Sequence, residues 1–188
     1  MPSESWYGVV NGDDDLMQGD FVYGCPIVIP STTVLADGME IEGSVSNYDV
    51  IIMSQSCDMK YKKVKLVLVC PFWPLEEYTK TFSHLKSDNL KEALRRGYLP
   101  GNHLLAKCDL DEFRKDDYLV VDFRNVFSVP INYLSAKAKS QEKRLRLKPP
   151  FREHLSQAFA RFFMRVGLPA DIPKFIEREV SVEEVPIA

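Results

Sequence analysis

The chain has 188 residues, 45% of them hydrophobic and 27% charged, and a formal net charge of −3. With this composition the chain can bury one substantial core, and the length suits one domain, 1–188. The four cysteines are widely spaced and form no CxxC pair, which indicates reduced thiols. No apolar run approaches the about 20 residues of a membrane span, and the start lacks the pattern of a signal peptide. We therefore expect a soluble, cytoplasmic protein without membrane contact.

Strand patterns dominate the first two thirds of the chain. A strand is predicted from Asp20, with an interruption at Gly24. Two apolar runs, 48–54 and 64–70, predict an antiparallel pair, and the second run is predicted to end at the proline-rich segment 71–75. The remaining predicted elements are strands at 103–108, 118–123 and 126–129 and a helix near 83–96.

The clearest predicted helix covers residues 150–167. One apolar stripe recurs at three- and four-residue spacing, and Gly167 with Pro169 provides a stop signal. The stripe consists of Leu155, Phe159, Phe162, Phe163 and Val166. The opposite face carries His154, Gln157, Arg161 and Arg165. The expected fold is thus α+β and rich in β: a β-barrel body over 6–135, a basic connector over 136–149, this helix packed on the sheet, and an acidic tail over 168–188.

Charge is distributed very unevenly along the chain. Residues 1–59 contain ten acidic residues and no lysine or arginine, whereas seven basic residues fall between Lys137 and Arg152. One interpretation is that the two parts neutralise each other across the fold and the basic segment is a solvated loop. The other is a polyanion-binding surface. Its candidate residues are Arg144, Arg146, Arg152, His154, Arg161 and Arg165, and Gln55 and Ser56 are further candidate binding residues.

The segment Ser54 to Asp58 is the candidate site, because an apolar strand there ends in small polar groups, a thiol and a carboxylate. One reading makes Cys57 a nucleophile beside Asp58, with His103 or His154 as its base. A metal site lacks ligand pairs at zinc-type spacing, so we expect no metal and no cofactor. The third reading is structural: Gln55, Ser56 and Asp58 tie down the loop through backbone hydrogen bonds.

A second carboxylate follows an apolar run at Asp122, two residues before Arg124. Such a pair forms either a buried ion pair or a polar pair at the rim of the fold. The buried ion pair is favoured, because a buried carboxylate usually has such a basic partner.

The order of elements resembles the MazF/PemK growth-inhibitor family of small SH3-like barrels. The resemblance runs over about residues 17–166: Gly19-Asp20 opening a strand, a strand closing in Ser54, a strand ending in Pro71, then His103-Leu104, Val121-Asp122 and a last helix. It implies a barrel with an inserted helix. Members of the family typically cleave RNA with an early arginine and a Thr or Ser after the third-strand proline. This chain has no arginine before Lys60, and Phe72-Trp73 follow Pro71, so we expect that activity to be absent.

The chain also resembles an uncharacterised bacterial group with a Ser/Thr-Gln-Ser/Asp-Cys-Asp stretch and a last helix containing Arg-Glu-His-Leu, here residues 152–155. That resemblance favours treating the two segments together. The leading functional hypothesis is a non-catalytic module, in a bacterial toxin-like or defence-associated system, that binds nucleic acid or a partner protein through the basic C-terminal face. The alternatives are an enzyme that uses the Cys-Asp cluster with a histidine base, and a diverged PemK-like ribonuclease. A homodimer is a further expectation, since barrels of this kind often dimerise.

Overall fold

The structure, a computed structural model, describes residues 5–30, 43–81, 88–113 and 117–164. Within these ranges the chain is α+β and rich in strands, as predicted. The strands are β1 Tyr7–Asn11, β2 Phe21–Pro30, β3 Gly43–Ile52, β4 Leu66–Pro74, β5 Asn102–Leu105, β6 Leu119–Asp122, β7 Phe127–Pro130 and β8 Lys143–Leu147. The helices are α1 Ser56–Lys60, α2 Leu75–Thr81, α3 Asp88–Arg95, α4 Ile131–Lys139 and α5 Phe151–Phe163.

The strands form a six-stranded sheet and a two-stranded sheet, and all pairings are antiparallel. The larger sheet has the order β2-β3-β4-β6-β5, with β7 also paired to β4, and the smaller one pairs β1 with β8. Among the described residues, the path of hydrogen-bonded strands is open, running from β2 to β5.

The last three residues of β3, Val50 to Ile52, are buried on both faces of the sheet. Val50 and Ile52 point into one hydrophobic cluster, which α4 covers, and Ile51 belongs to the other, which α5 covers. Successive side chains of a strand alternate between faces, so a strand covered on both sides is continuously apolar. This explains the run that predicted β3, and its antiparallel pairing with β4 is also confirmed.

The predicted interruption of β2 is a β-bulge between Val22 and Cys25. Gly24 lies there at φ +58, in the left-handed region that glycine adopts without strain. The proline-rich segment 71–75 does end the second strand, at Pro74, but the strand end at Pro71 that the family resemblance implies is wrong. Pro71 is the last β4 residue opposite β3 and Phe72 the first opposite β6, so the proline stands where the strand changes partners.

The predicted basic connector over 136–149 is also wrong. Most of its residues belong to the end of α4 and to β8. Buried apolar side chains hold both elements: Leu134 and Ala138 from α4, and Leu145 and Leu147 from β8. The charged residues thus alternate with core residues, a pattern that the count of charges concealed.

The last helix is confirmed as α5, which lies within the predicted range. Leu155 is buried, and Phe159 and Phe162 pack against Phe123. Phe163, predicted in the apolar stripe, is 59% exposed. Val166, the stop signal and the tail 168–188 lie outside the described residues.

The helix predicted near 83–96 corresponds to α3, and residues 82–87 lie outside the described ranges. The helix α2, directly after β4, was not predicted. None of the helices in the described part of the chain has the length and apolar character that crossing a bilayer requires.

Candidate functional site

The polar segment after β3 and the first turns of α5 lie side by side. The Gln55 side chain donates a hydrogen bond to Ser156 Oγ at 3.5 Å, across 101 residues of sequence. The buried Gln18 side chain bridges the same two elements: its Nε2 donates to the Met53 carbonyl at 2.7 Å and to Ser156 Oγ at 3.4 Å. The fold therefore joins the two segments that the sequence singled out.

A cavity of about 450 Å³ opens where these segments meet, and we call it the strand-end cavity. Its lining residues are Met17, Gln18, Gln55, Ser56, Cys57, Arg152, Glu153, Ser156 and Gln157. Ser56 Oγ accepts the backbone N–H of Gln18 at 3.0 Å, and the Leu68 N–H donates to Ser54 Oγ at 2.8 Å. Ser56 thus ties a backbone amide, as the structural interpretation predicts, whereas Gln55 binds the Ser156 hydroxyl and Asp58 pairs with Lys63.

One carboxylate lines the strand-end cavity, and it is paired. The Arg152 guanidinium donates to Glu153 Oε1 at 2.6 Å. That contact holds the pKa of the Glu153 carboxyl below its ordinary value. The other polar side chains of the lining are the amides of Gln18, Gln55 and Gln157, the hydroxyls of Ser56 and Ser156, and Cys57.

Cys57 is exposed, whereas Cys25, Cys70 and Cys108 are buried. Its Sγ lies 3.7 Å from Asp58 Oδ1, and the Asp58 carboxylate lies 3.8 Å from Lys63 Nζ. Among the described residues, Cys57 has no contact with a histidine. A nucleophilic thiol needs a base within hydrogen-bond reach, so the predicted set of Cys57, Asp58 and His103 is not assembled.

The two candidate histidines line a second cavity, of about 420 Å³, between α5 and the segment that leads from α3 into β5. We call it the histidine cavity. It is lined by Arg96, Gly97, Pro100, Asn102, His103, His154, Gln157, Ala158 and Arg161. Burial, and secondly the charge of His154, lower the pKa of His103 to about 4, so this imidazole is neutral at pH 7. Gln157 lines both cavities, which makes them neighbours along one face of α5.

A buried polar network supports the floor of the histidine cavity. Asn102 Nδ2 donates to the Tyr78 hydroxyl at 2.7 Å, and Arg124 also donates to that oxygen. Asp122, fully buried, accepts from Arg124 Nε at 2.8 Å and from Asn125 at 3.0 Å. The expected ion pair of Asp122 with Arg124 is therefore present, and it holds β5, β6 and α2 together.

Arg144 and Arg146 do not belong to an open basic face, which corrects their prediction as binding residues. Arg144 is fully buried, and its guanidinium donates to the backbone carbonyls of Asn11, Gly12 and Asp14. Both guanidinium groups bind the buried Asp20 carboxylate, Arg144 at 3.4 Å. An internal charge is stable only with such a partner, and here the acidic first third of the chain provides it.

Two lysines of the segment 136–149 also form ion pairs. Lys143 lies 2.7 Å from Glu112, and Lys139 lies 3.9 Å from Asp13. The interpretation that the acidic and basic parts neutralise each other holds for Lys139, Arg144 and Arg146, whose partners Asp13 and Asp20 lie in residues 1–59. The predicted solvated loop is wrong, because the segment is helix and strand.

The remaining predicted cations lie on α5. Arg152 is paired with Glu153, whereas His154 and Arg161 are exposed, and within the described ranges Arg161 has no ion pair. Arg165 lies outside the described residues. Sequence reasoning missed Gln18, Asn102 and Ser156. Only Ser156, next to the Arg-Glu-His-Leu stretch, carried a signal that could have indicated it.

Nowhere in 5–30, 43–81, 88–113 and 117–164 do three His, Cys, Asp or Glu residues group as metal ligands would. No family model matches the chain, and no curated protein matches it.

Proposed function

We propose that this protein is a non-catalytic module that binds nucleic acid through the polar face of α5. The observation that carries the proposal is the pair of adjacent cavities along that face. Among their lining residues the only carboxylate is Glu153, which Arg152 already engages. The basic residues that line them are Arg96, Arg152, His154 and Arg161.

The lining chemistry suits phosphate groups. Arginine provides charge-assisted donors for phosphate oxygens, and Ser, Asn and Gln side chains donate further hydrogen bonds. Arg161 is free to contribute such contacts, while Arg96 is held in place by Glu92, its Nε lying 2.6 Å from Oε1. Phosphate contacts of this kind give affinity and position without requiring a reactive group.

The enzyme hypothesis has less support from the geometry. The thiol of Cys57 and the imidazoles of His103 and His154 line different cavities. The ribonuclease alternative also has less support, because the chain has no arginine upstream of Lys60, where the MazF/PemK family has one. The SH3-like barrel and the toxin-like or defence-associated setting stay part of this proposal and rest on the resemblance to the MazF/PemK family.

The test is the salt dependence of binding to a fluorescent RNA and to single- and double-stranded DNA. We expect binding near about 50 mM salt that weakens steeply towards about 200 mM, because phosphate contacts release counterions. Replacing Arg161 by Gln should weaken binding several-fold and lower the slope of log K against log salt concentration by about 1.

The matched control is Lys80→Gln, which removes the same charge from an exposed lysine of α2 paired with Glu76. It should leave the slope unchanged. Absence of binding to all three nucleic acids at low salt would overturn the proposal. In that case a partner protein on the same face, or a homodimer detected by sedimentation, becomes the hypothesis to pursue.

A further inference from the structure

A lysine-rich turn follows α1 on a part of the surface that neither α5 cavity includes. Four lysines occupy six positions, Lys60, Lys62, Lys63 and Lys65, and all four are exposed. Lys63 pairs with Asp58 at 3.8 Å. The ammonium groups of the other three form no hydrogen bond or ion pair with the residues that the structure describes. Unpaired cations this dense in sequence create a strongly positive local potential.

Those three lysines surround one pocket of about 790 Å³, which we call the lysine pocket. Its apolar lining consists of Leu16, Met59, Val64, Leu66, Pro130 and Ile131. Leu66 is 53% exposed, so this apolar surface is open to a ligand. Asn132 and Ser135 add polar groups, and Asp15 is the single carboxylate of the lining.

An apolar floor within a cationic rim fits a ligand with a flat apolar part joined to an anion. A nucleotide has this chemistry: its base has two apolar faces and its phosphate is negative at neutral pH. The volume also lies in the range of small-molecule sites. A base paired inside a duplex cannot reach such a floor, whereas an unstacked base of a single strand can.

We propose that the lysine pocket binds one nucleotide of a single-stranded nucleic acid, with the base on the apolar floor and the adjoining phosphates on Lys60, Lys62 and Lys65. The polymeric form of the ligand rests on the function proposed above. The pocket extends that function to a second surface and selects the single strand.

The short helix α1 connects the two surfaces. Cys57 lines the strand-end cavity and Lys60 lines the lysine pocket, three residues and about 4.5 Å of helix rise apart. Tyr61, between these lysines, is 67% exposed, and Lys63 Nζ lies 5.9 Å from the centre of its ring. An exposed aromatic ring among lysines is a stacking platform of the kind that single-strand binders use. One strand therefore reaches both surfaces across α1.

The experiment measures binding of the full chain to a labelled thymidylate strand of roughly 12 nucleotides over a range of salt concentrations. The double variant Lys60→Gln/Lys65→Gln should lower the slope of log K against log salt by about 1.4, since each lost single-strand phosphate contact removes about 0.7. The matched variant Lys80→Gln/Lys139→Gln removes two exposed charges elsewhere and should leave the slope unchanged.

A strand of equal length without bases separates base contact from phosphate contact. It should bind the unaltered protein at least about 5-fold more weakly than the thymidylate strand, because stacking of a base is lost. Equal slopes for the two double variants, or equal binding with and without bases, would overturn the inference. The proposed function survives either result if Arg161→Gln still lowers the slope.

Two further arms identify the form of the ligand. A duplex that binds as tightly as the single strand overturns single-strand selection and leaves nucleic-acid binding intact. A free nucleoside 5′-monophosphate that binds in a Lys60- and Lys65-dependent manner, while no strand binds, overturns both the polymeric ligand and the proposed function.

Discussion

Two groups of basic residues that look alike in the sequence occupy opposite environments in the fold. Arg144 and Arg146 on β8 are drawn inside and neutralised by Asp20 and by backbone carbonyls of the acidic segment before it. His154 and Arg161 on α5 stay exposed beside cavities with one carboxylate, which is already paired. A cation count therefore does not identify a binding surface; the surface consists of those cations that the fold leaves without an internal partner.

The largest expected effect is the loss of Asp20. Asp20→Ala leaves the fully buried Arg144 guanidinium without its carboxylate, and removing one partner of a buried pair costs about 3–5 kcal/mol of unfolding free energy. Urea denaturation measures this loss of unfolding free energy. The control is Asp13→Ala, whose carboxylate is 92% exposed beside Lys139, with an expected change within about 0.5 kcal/mol. Similar losses for the two variants would abolish the distinction between the two groups of cations.

The second prediction concerns pH and His103, which lies beneath the exposed face of α5. Its pKa is about 4 in the folded protein and about 6.5 when unfolded, so the unfolded chain takes up the proton first. Stability is thus complete above about pH 6.5 and falls as the pH decreases towards 4, by roughly 3 kcal/mol in total. Urea denaturation from pH 7.5 to pH 4.5 measures this loss.

His103→Gln should remove that part of the acid loss. His154→Gln should retain most of it, because burial is the main cause of the shift and the charge of His154 the lesser one. If the acid loss of His103→Gln equals that of the unaltered protein, His103 is not buried neutral in solution.

A smaller effect is expected at the junction of the strand end with α5. Gln18→Ala removes the amide that donates to Met53 and Ser156, and leaves a buried carbonyl without its donor, at a cost of about 1–2 kcal/mol. Gln157→Ala, on the exposed face, should leave the unfolding free energy unchanged. Thermal unfolding of both variants tests whether the Gln18 hydrogen bonds stabilise the fold. Equal melting temperatures of the two variants would contradict this prediction.

The smallest effect is expected at Cys57. An alkylating reagent at neutral pH should add once to the native protein, at Cys57, because the other three thiols are buried and burial raises the pKa of Cys70 to about 12. Mass spectrometry counts the adducts. Cys57→Ser should give none and should bind nucleic acid as the parent does, because serine keeps a small polar group in the strand-end cavity. An adduct on that variant would show that a second thiol is accessible.

Local patterns predicted the elements that depend on local periodicity. The run from Val50 to Ile52 predicted a buried strand because both faces of β3 are covered, and the spacing of Leu155 and Phe159 predicted α5. The continuation of β4 through Pro71 escaped prediction, because a proline is tolerated where the strand exchanges β3 for β6, which is a property of the sheet.

By itself the sequence determined that the chain is α+β, that a polar cluster follows β3, and that the charge divides into an acidic and a basic part. Tertiary structure alone decided which polar side chains meet. The ion pair of Arg144 with Asp20 joins residues 124 positions apart, and the hydrogen bond of Gln18 with Ser156 joins residues 138 positions apart. Electrostatic and hydrogen-bond energies depend on distance and burial, and neither can be read from position in the chain. For that reason the polar cluster at Ser54 to Asp58 was a candidate site from the sequence, but only the structure showed that α5 lies beside it.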